Sequence, residues 1–551
     1  MEYNIIKSHK LFALAVIMLV SLHVAAQPKG MNVRLGEPDA MIVTVDNPGE
    51  LKAKIPEKMV RAIRRLRVEG TLSKDDLSFL RTLAMRSSLQ DTLGHRLDPF
   101  FELDLMDANI YVGGVFGIRT HVIPDRFLNG STLLRRIYLP INTERIGEYA
   151  FDGCVNLREV SMPMSVNYIG SCAFKGCKAL TEVSYPKALT TMENGCFEDC
   201  VNLQNFTLFD GLVKIGNTAF RNTGITQIKI PSSVRQIGDE AFANTAIESI
   251  NIPDGMEDIN PRAFEGCKTL QNIIVSPQNN NYCNVDGILY LKDKKIIIRV
   301  PVIKSGTFKV PEGVIGIGKY AFSECHNINE VLLPKSLLRI GEGAFRNCKN
   351  ISKVTLPATL EIIDKGAFSG SGLRSIDLSG VKELQEELFL SCGSLSEVKL
   401  PMLEQLPARI FEGCTALTAI ELPKSLKVIG KYSFKNCDKL ARIALPLSLT
   451  TIEDEAFYNC QSIESFEFPL SVTNLGRKTL YDCKNLQSVI CPWQEPLEIK
   501  DIINNKKTVL RVPSGSEELY KKAKGWKKFK QIETFSGPYY LYMGPKLAQA
   551  R

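Results

Sequence analysis

Apolar and polar positions along this chain fall into a frame that returns about every 23 residues. Residues 422–445 show it best, with Leu422-Pro423, Ser425, Leu426, Ile429, Gly430, Phe434, Cys437, Leu440, Ile443 and Leu445. The phenylalanine of the frame stands at Phe151, Phe174, Phe197, Phe220, Phe242 and Phe264, then at Phe322, Phe345, Phe368, Phe389, Phe411, Phe434 and Phe457. Successive intervals are 23, 23, 23, 22 and 22 residues, then 58, then 23, 23, 21, 22, 23 and 23. Leu480 continues the register, and Phe127 heads a degenerate opening unit with Leu134, Ile137, Leu139 and Pro140, so about fifteen units are expected. A unit this short buries its apolar row only against its neighbours, which makes the chain a solenoid.

Within a unit, Val354-Thr355-Leu356-Pro357, Ile420-Glu421-Leu422-Pro423 and Phe466-Glu467-Phe468-Pro469 alternate as a half-buried strand does, with the middle side chain outward. Proline ends the strand because it has no N–H to donate. The pairs Ile146-Gly147, Ile169-Gly170, Ile237-Gly238 and Ile340-Gly341 predict a bend at which glycine supplies a positive φ. The Ala-Phe pair follows on a tight 3₁₀-like turn with its ring inward. The expected fold is mostly β: one parallel sheet on the concave face, strands about 4.8 Å apart, with turns and 3₁₀ segments on the convex face.

The interval of 58 reads as a β-hairpin inserted at one rung, with Ile273 to Val275, Val285 to Tyr290 and Ile296 to Val300 as its strands. It is either a decoration that leaves the sheet continuous or a dedicated lobe or hinge. Residues 28–115 lack the frame and predict a small α/β cap. It contains a helix from Pro56 to Arg65 presenting Met59, Ile63 and Leu66, a second helix after Ser73 presenting Leu77, Leu80 and Leu83, and a strand at Leu103-Asp104-Leu105. At the other end Val509 to Pro513 imitates a last strand, and Glu517 to Lys524 a short helix leading to Trp526 and Phe529. The organisation expected is an export signal over 1–26, a cap over 27–115, repeats over 116–270, the insertion over 271–309, repeats over 310–492, a basic cap over 493–535 and a tail over 536–551.

Composition changes this picture in three places. Lys7 and Lys10 precede the apolar residues 11–22, and Val24-Ala25-Ala26 precedes Gln27, the pattern of a cleaved export signal. A membrane anchor needs roughly 20 apolar residues, Ser21 and His23 break this run, and no later segment is apolar enough to span a bilayer. Between residues 500 and 530 ten basic residues face only Asp501, Glu517 and Glu518, although the whole chain carries just +8. The repeats are therefore close to neutral and offer no long basic groove for nucleic acid. The basic end could tie the protein to anionic envelope polymers, or simply keep the cap soluble.

Eleven of the 15 cysteines lie three residues after the repeat aromatic or its equivalent. Thr223, Thr245 and Ser371 replace them elsewhere, so the column asks for a small buried side chain rather than for disulfides, even though the chain is read as exported. No Cys-x-x-Cys pair exists to suggest structural zinc.

Units of the form Cys-x-x-Leu-x-x-Ile-x-Leu-Pro-x-Ser-Leu-x-x-Ile-Gly, closed in residues 414–434 by Lys431-Tyr432-Ser433-Phe434 and elsewhere by x-x-Ala-Phe, resemble the leucine-rich repeats of BspA-like (Treponema pallidum-type) bacterial surface proteins. Val285-Asp286-Gly287-Ile288-Leu289-Tyr290 and the ending Val512-Pro513-Ser514-Gly515, Tyr520, Gly525-Trp526-Lys527-Lys528-Phe529 are similar to segments of that family. The resemblance covers residues 50–535 and implies an exported protein of a gut or oral bacterium, associated with adhesion to host proteins or to other cells.

Candidate chemistry is thin. Three histidines follow the signal, His95, His121 and His326, and none neighbours another. Gly113-Gly114-Val115-Phe116-Gly117 has no following Lys-Ser/Thr and does not read as a phosphate loop. No catalytic residue, metal ligand or cofactor is nominated, and no enzyme activity is expected. Asp91-Thr92-Leu93 resembles an O-glycosylation acceptor of gut bacteria.

Repeat proteins bind on the strand face, whose outward column includes Tyr138, Ser161, Ser184, Thr207, Lys229, Asn251, Thr355, Asp377, Lys399, Glu421 and Glu467. It holds no aromatic ladder for sugars and no dominant charge. The partner this suits is an extracellular protein such as a host matrix or cell-surface protein, with a glycan or a structural envelope role as alternatives.

Overall fold

The structure is a computed structural model that describes residues 33–35, 40–60, 62–86, 89–90, 96–97, 101–114, 117–183 and 186–536. The export signal, Thr92, His95, Ser184 and the last fifteen residues lie outside them. Two compact units result: one runs to Leu189 and includes Asp199–Leu203, the other comprises Thr190–Glu198 and everything from Gln204.

Each turn of the chain lays down three backbone segments. The first is the expected strand, such as Lys353–Thr355 between Ile328–Leu332 and Ser375–Asp377, all parallel. Its inner residues are buried, as at Val354 and Ile376, while Thr355 and Asp377 are exposed. The second segment is a short strand, not a bend, made of the isoleucine of the Ile-Gly pair and the residue before it. Val428–Ile429 pairs in parallel with Gln405–Leu406 and Thr451–Ile452. The glycine that follows is not there for a positive φ. A Cβ on Gly430 would stand 2.6 Å from the Leu406 carbonyl oxygen, so glycine is required by the close approach of the preceding turn.

The third segment carries the phenylalanine. Its turns are closed by i to i+3 bonds, such as Cys437 N–H to Phe434 O at 3.2 Å, and residues two before and two after the ring have positive φ (Tyr432 60°, Asn436 60°). Between these, alternate N–H groups reach the next turn: Tyr432 to Asp454 O, Phe434 to Ala456 O and Asn436 to Tyr458 O, at 3.1, 2.8 and 2.9 Å. The rings stack inside this ladder. Phe434 and Phe457 are 5.2 Å apart at 5° and wholly buried.

The hydrogen-bond register corrects two assignments. Leu128, not Phe127, opens the row: its N–H meets Ala150 O at 2.8 Å, as Phe151 N–H meets Ala173 O. Inside the long interval the row does not lapse either. Val300 N–H reaches Ala321 O at 2.8 Å, so Val300 holds a phenylalanine position and a complete turn closes there. The wholly buried Arg299 clamps this turn, donating to Tyr320 O at 2.9 Å and Phe264 O at 3.3 Å.

The insertion itself is a three-stranded meander, Tyr282–Val285, Ile288–Leu291 and Ile296–Arg299. It folds over the edge of strand Asn272–Val275: Ile273 N–H bonds Gly287 O at 3.0 Å and Val275 N–H bonds Asn284 Oδ1 at 2.8 Å. The strand ladder is interrupted there, because Asn272–Val275 pairs only with Ser249–Ile252 and the next strand, Gly306–Lys309, only with Ile328–Leu332.

In the first unit the strands Ala40–Val45, Arg65–Leu72, Phe101–Asp104, Leu134–Tyr138 and Glu159–Ser161 form one parallel sheet, so the region before the repeats extends the strand face. The helix expected over Pro56 to Arg65 is only a 3₁₀ turn at Glu57–Met59. Arg65-Leu66-Arg67-Val68 alternates with period two, and with Leu66 and Val68 buried it is a strand. The second helix forms over Lys74–Ala84, capped by Ser73 and Asp76 and burying Leu77, Leu80 and Leu83. Gly113 and Gly114 end a strand paired with Gly117–Thr120, a hairpin and not a phosphate cradle. No helix among the described residues is long and apolar enough to cross a membrane.

Candidate functional site

Period-two alternation turns the central residue of each strand outward, and the structure places the nominated column accordingly. Thr207, Lys229, Asn251, Thr355, Asp377, Lys399 and Glu421 are exposed; Tyr138, Ser161 and Glu467 are half-buried. Three of them converge on a depression in the second unit. The turn from Phe368 to Phe389 has 21 residues; one residue is lost in the turn after Ser371, and one after strand Ser375–Asp377, where Leu378-Ser379-Gly380-Val381 replaces the usual Leu-Pro-x-Ser-Leu. A Cβ on Gly380 would meet nothing within 4 Å. The recess has a volume of about 560 Å³ and is bounded by Lys353, Thr355, Asp377, Glu397 and Lys399 around Gly380.

Its polar groups are ordered by strand register. Lys353, Ser375 and Glu397 lie side by side, as do Asp377 and Lys399. Asp377 Oδ1 accepts the Ser379 N–H at 2.9 Å and Oδ2 lies 3.3 Å from Lys399 Nζ. Hydrogen bonding by Ser379, and after it Lys399, holds the Asp377 carboxyl below its ordinary value. Two cations, two anions and three hydroxyls thus surround a pocket with no net charge. Farther along the column, burial beside Ile490 pushes the Glu467 carboxyl above its ordinary value.

A second recess, of about 320 Å³, lies in the first unit against Tyr138, Ala40 and Ile42. Its rim is a cross-strand ladder: Arg65 Nε to Glu102 Oε2 at 3.1 Å, Arg136 to the same oxygen at 3.5 Å, and Arg136 Nε to Glu159 Oε2 at 2.7 Å. Nominating only the central column passed over Arg65, Glu102 and Arg136, which occupy the parallel file two residues earlier. The alternation in Arg65-Leu66-Arg67-Val68-Glu69 was the signal that could have found it.

Elsewhere reactive groups are separated or shut in. Among the described residues no three His, Cys, Asp or Glu side chains come together as metal ligands. His121 Nδ1 lies 3.3 Å from Glu144 Oε1 at the surface, and His326 is half-buried with Nδ1 enclosed. The cysteine column is unpaired and buried. Each thiol donates to the carbonyl of the previous ring residue, as Cys460 does to Phe434 at 3.1 Å, and Cys154 and Cys325 do to Leu128 and Val300. Burial pushes the Cys325 and Cys483 thiols up to about 12, far from reactive thiolates.

The family model of the BspA type leucine rich repeat region matches residues 121–245, 235–287, 303–417 and 404–505, passing over most of the meander. No curated protein matches the chain in sequence. Solved structures with similarity include a leucine-rich repeat protein of Eubacterium ventriosum, 22% identical over 65% of this chain and 87% of that one, TM-score 0.46. A leucine rich cell surface protein of Faecalibacterium prausnitzii is 26% identical over 66% and 85%, TM-score 0.43. A leucine-rich repeat protein of Bacteroides ovatus is 24% identical over 78% and 98%, TM-score 0.40.

Proposed function

The chain belongs to the BspA-type leucine-rich repeat family, whose members are surface or secreted bacterial proteins, and from that premise we propose that it is a non-enzymatic, exported interaction module that binds a protein partner on its strand face. The observation that carries the reading is the recess around Gly380, where Thr355, Asp377 and Lys399 meet. Its balanced charges and hydroxyls match an extended polypeptide, which offers donors, acceptors and both signs of charge along one edge. A polyanion would meet Asp377 and Glu397, and a sugar would find no exposed aromatic ring to stack on in this recess. The partner class is an extracellular protein of a host matrix or of another cell.

Binding of the protein from residue 27 onward to a panel of matrix proteins, beside a glycan array, tests this. Saturable binding to a protein, weakened by Asp377→Ala with Lys399→Ala, is the expected result. Capture by glycans alone would replace this reading with the glycan-binding one.

A further inference from the structure

The phenylalanine ladder has a direction. From Tyr320 to Asn504 each turn donates its N–H groups forward, ending with Lys478 to Lys500 O at 3.3 Å and Leu480 to Ile502 O at 3.0 Å. These peptide dipoles, about 3.5 D each, therefore align, and the last turn presents the N–H groups of Asp501 and Ile503 with no further ring turn to receive them. The Ile-Gly segment runs the other way, with Gly476 N–H donating back to Ile452 O at 2.7 Å, so the backbone gives this end no single sign and its charge is set by side chains.

The chain gathers its lysines at this end. The cap docks by its apolar side: Tyr520, Trp526 and Phe529 are buried, with Tyr520 Oη donating to Trp493 O at 2.9 Å and Trp526 Nε1 to Leu497 O at 2.8 Å. The lysines between them point out, and all six from Lys521 to Lys530 are exposed. Glu518 takes Lys521 at 2.7 Å, and Asp501 takes Lys528. Among the described residues no carboxylate pairs with Lys522, Lys524, Lys527 or Lys530. No ion pair of the described residues uses these four charges, and together they make the cap positive.

We propose that this C-terminal cap is a docking surface for a linear polyanionic polysaccharide bearing carboxylate or sulfate groups. The inference uses a different surface from the protein-binding recess and goes beyond it. Diffuse lysine charge suits a hydrated polymer better than a single phosphate, which arginine would clasp with two bonds. The aromatic rings of the cap are buried, so none is free to stack on bases. Leu519 is the one large apolar side chain exposed on helix Glu517–Lys522, too little to anchor the cap in a bilayer.

The test is retention of the full chain on immobilised heparin and on immobilised polygalacturonate across a salt gradient. Anionic phosphatidylglycerol vesicles and single-stranded DNA serve as competitors. The expected result is retention lost as salt rises, weakened at least tenfold by combined Lys522→Gln, Lys524→Gln, Lys527→Gln and Lys530→Gln. The same four positions changed to arginine should keep it, with both variants melting like the parent. Glutamine at the exposed Lys178, Lys268, Lys335 and Lys349 should leave retention near the parent's. No retention on either polymer, an equal loss in that control, or stronger binding to vesicles or DNA than to both polysaccharides would overturn the proposal.

Discussion

Cys437 donates its thiol hydrogen to the carbonyl oxygen of Phe411, 3.1 Å away and one turn earlier. That oxygen already accepts the Cys414 N–H at 3.0 Å, so the thiol satisfies its second lone pair in a site closed to water. Cys437→Ala should therefore cost about 1 to 2 kcal/mol, and Cys437→Ser less, because a hydroxyl can make the same bond. Thermal and denaturant melts of the two variants decide the order. Intact-mass alkylation in denaturant without reductant should label all 15 cysteines; a substantially unlabelled fraction would show that the column is oxidised.

The left-handed positions of the ring turns give a sharper contrast. Asn436 sits at φ 60°, where a β-branched side chain clashes and glycine does not. Asn436→Val should destabilise by about 2 kcal/mol and Asn436→Gly by less than about 0.5 kcal/mol. Equal losses would mean that the Asn436 side chain, and not its backbone, matters.

Arg299 joins the turns on either side of the insertion through two carbonyl oxygens. Arg299→Ala should cost about 3 kcal/mol by leaving both oxygens without this donor in a dry site. Amide exchange should rise first around Phe264 and Tyr320, whereas uniform acceleration along the second unit would argue against a local clamp.

How much of this was legible depends on which interaction sets a position. Ring burial marks itself with a large apolar residue, so the row, the strands and the cysteine column could be read directly. The two ends of the row could not. Phe127 outranks Leu128 as an aromatic, and Val300 carries no mark at all, because hydrogen-bond register rather than side-chain size places them. Ile63 and Leu66 mimicked a helical face, yet Leu66 and Val68 belong to a strand that neighbours Phe101–Asp104 across the sheet. Outward residues of the strand face followed from alternation. The recess around Gly380 did not, since it is made by side chains missing from a shortened turn.

Glu467 supplies a test by pH. Burial raises its folded carboxyl pKa above the ordinary 4.5, so the folded state favours the protonated form. Its contribution is therefore lost as pH rises from the ordinary glutamate range through the folded value. Glu467→Gln should be more stable than the parent at pH 7, and the difference should close in acid below that range. A difference that grows in acid would contradict the assignment.

Protein binding at the Gly380 recess is tested most directly by four substitutions that leave the core untouched. Lys353→Ala, Thr355→Ala, Asp377→Ala and Lys399→Ala change exposed side chains of the strand face alone. Once a matrix or cell-surface protein is found to bind, its affinity for this combined variant should fall at least tenfold, with the melting temperature unchanged. Substituting exposed lysines on the ring turns, Lys349 for example, should leave the affinity as it was. Undiminished binding by the four-residue variant would place the partner elsewhere and contradict the strand-face reading.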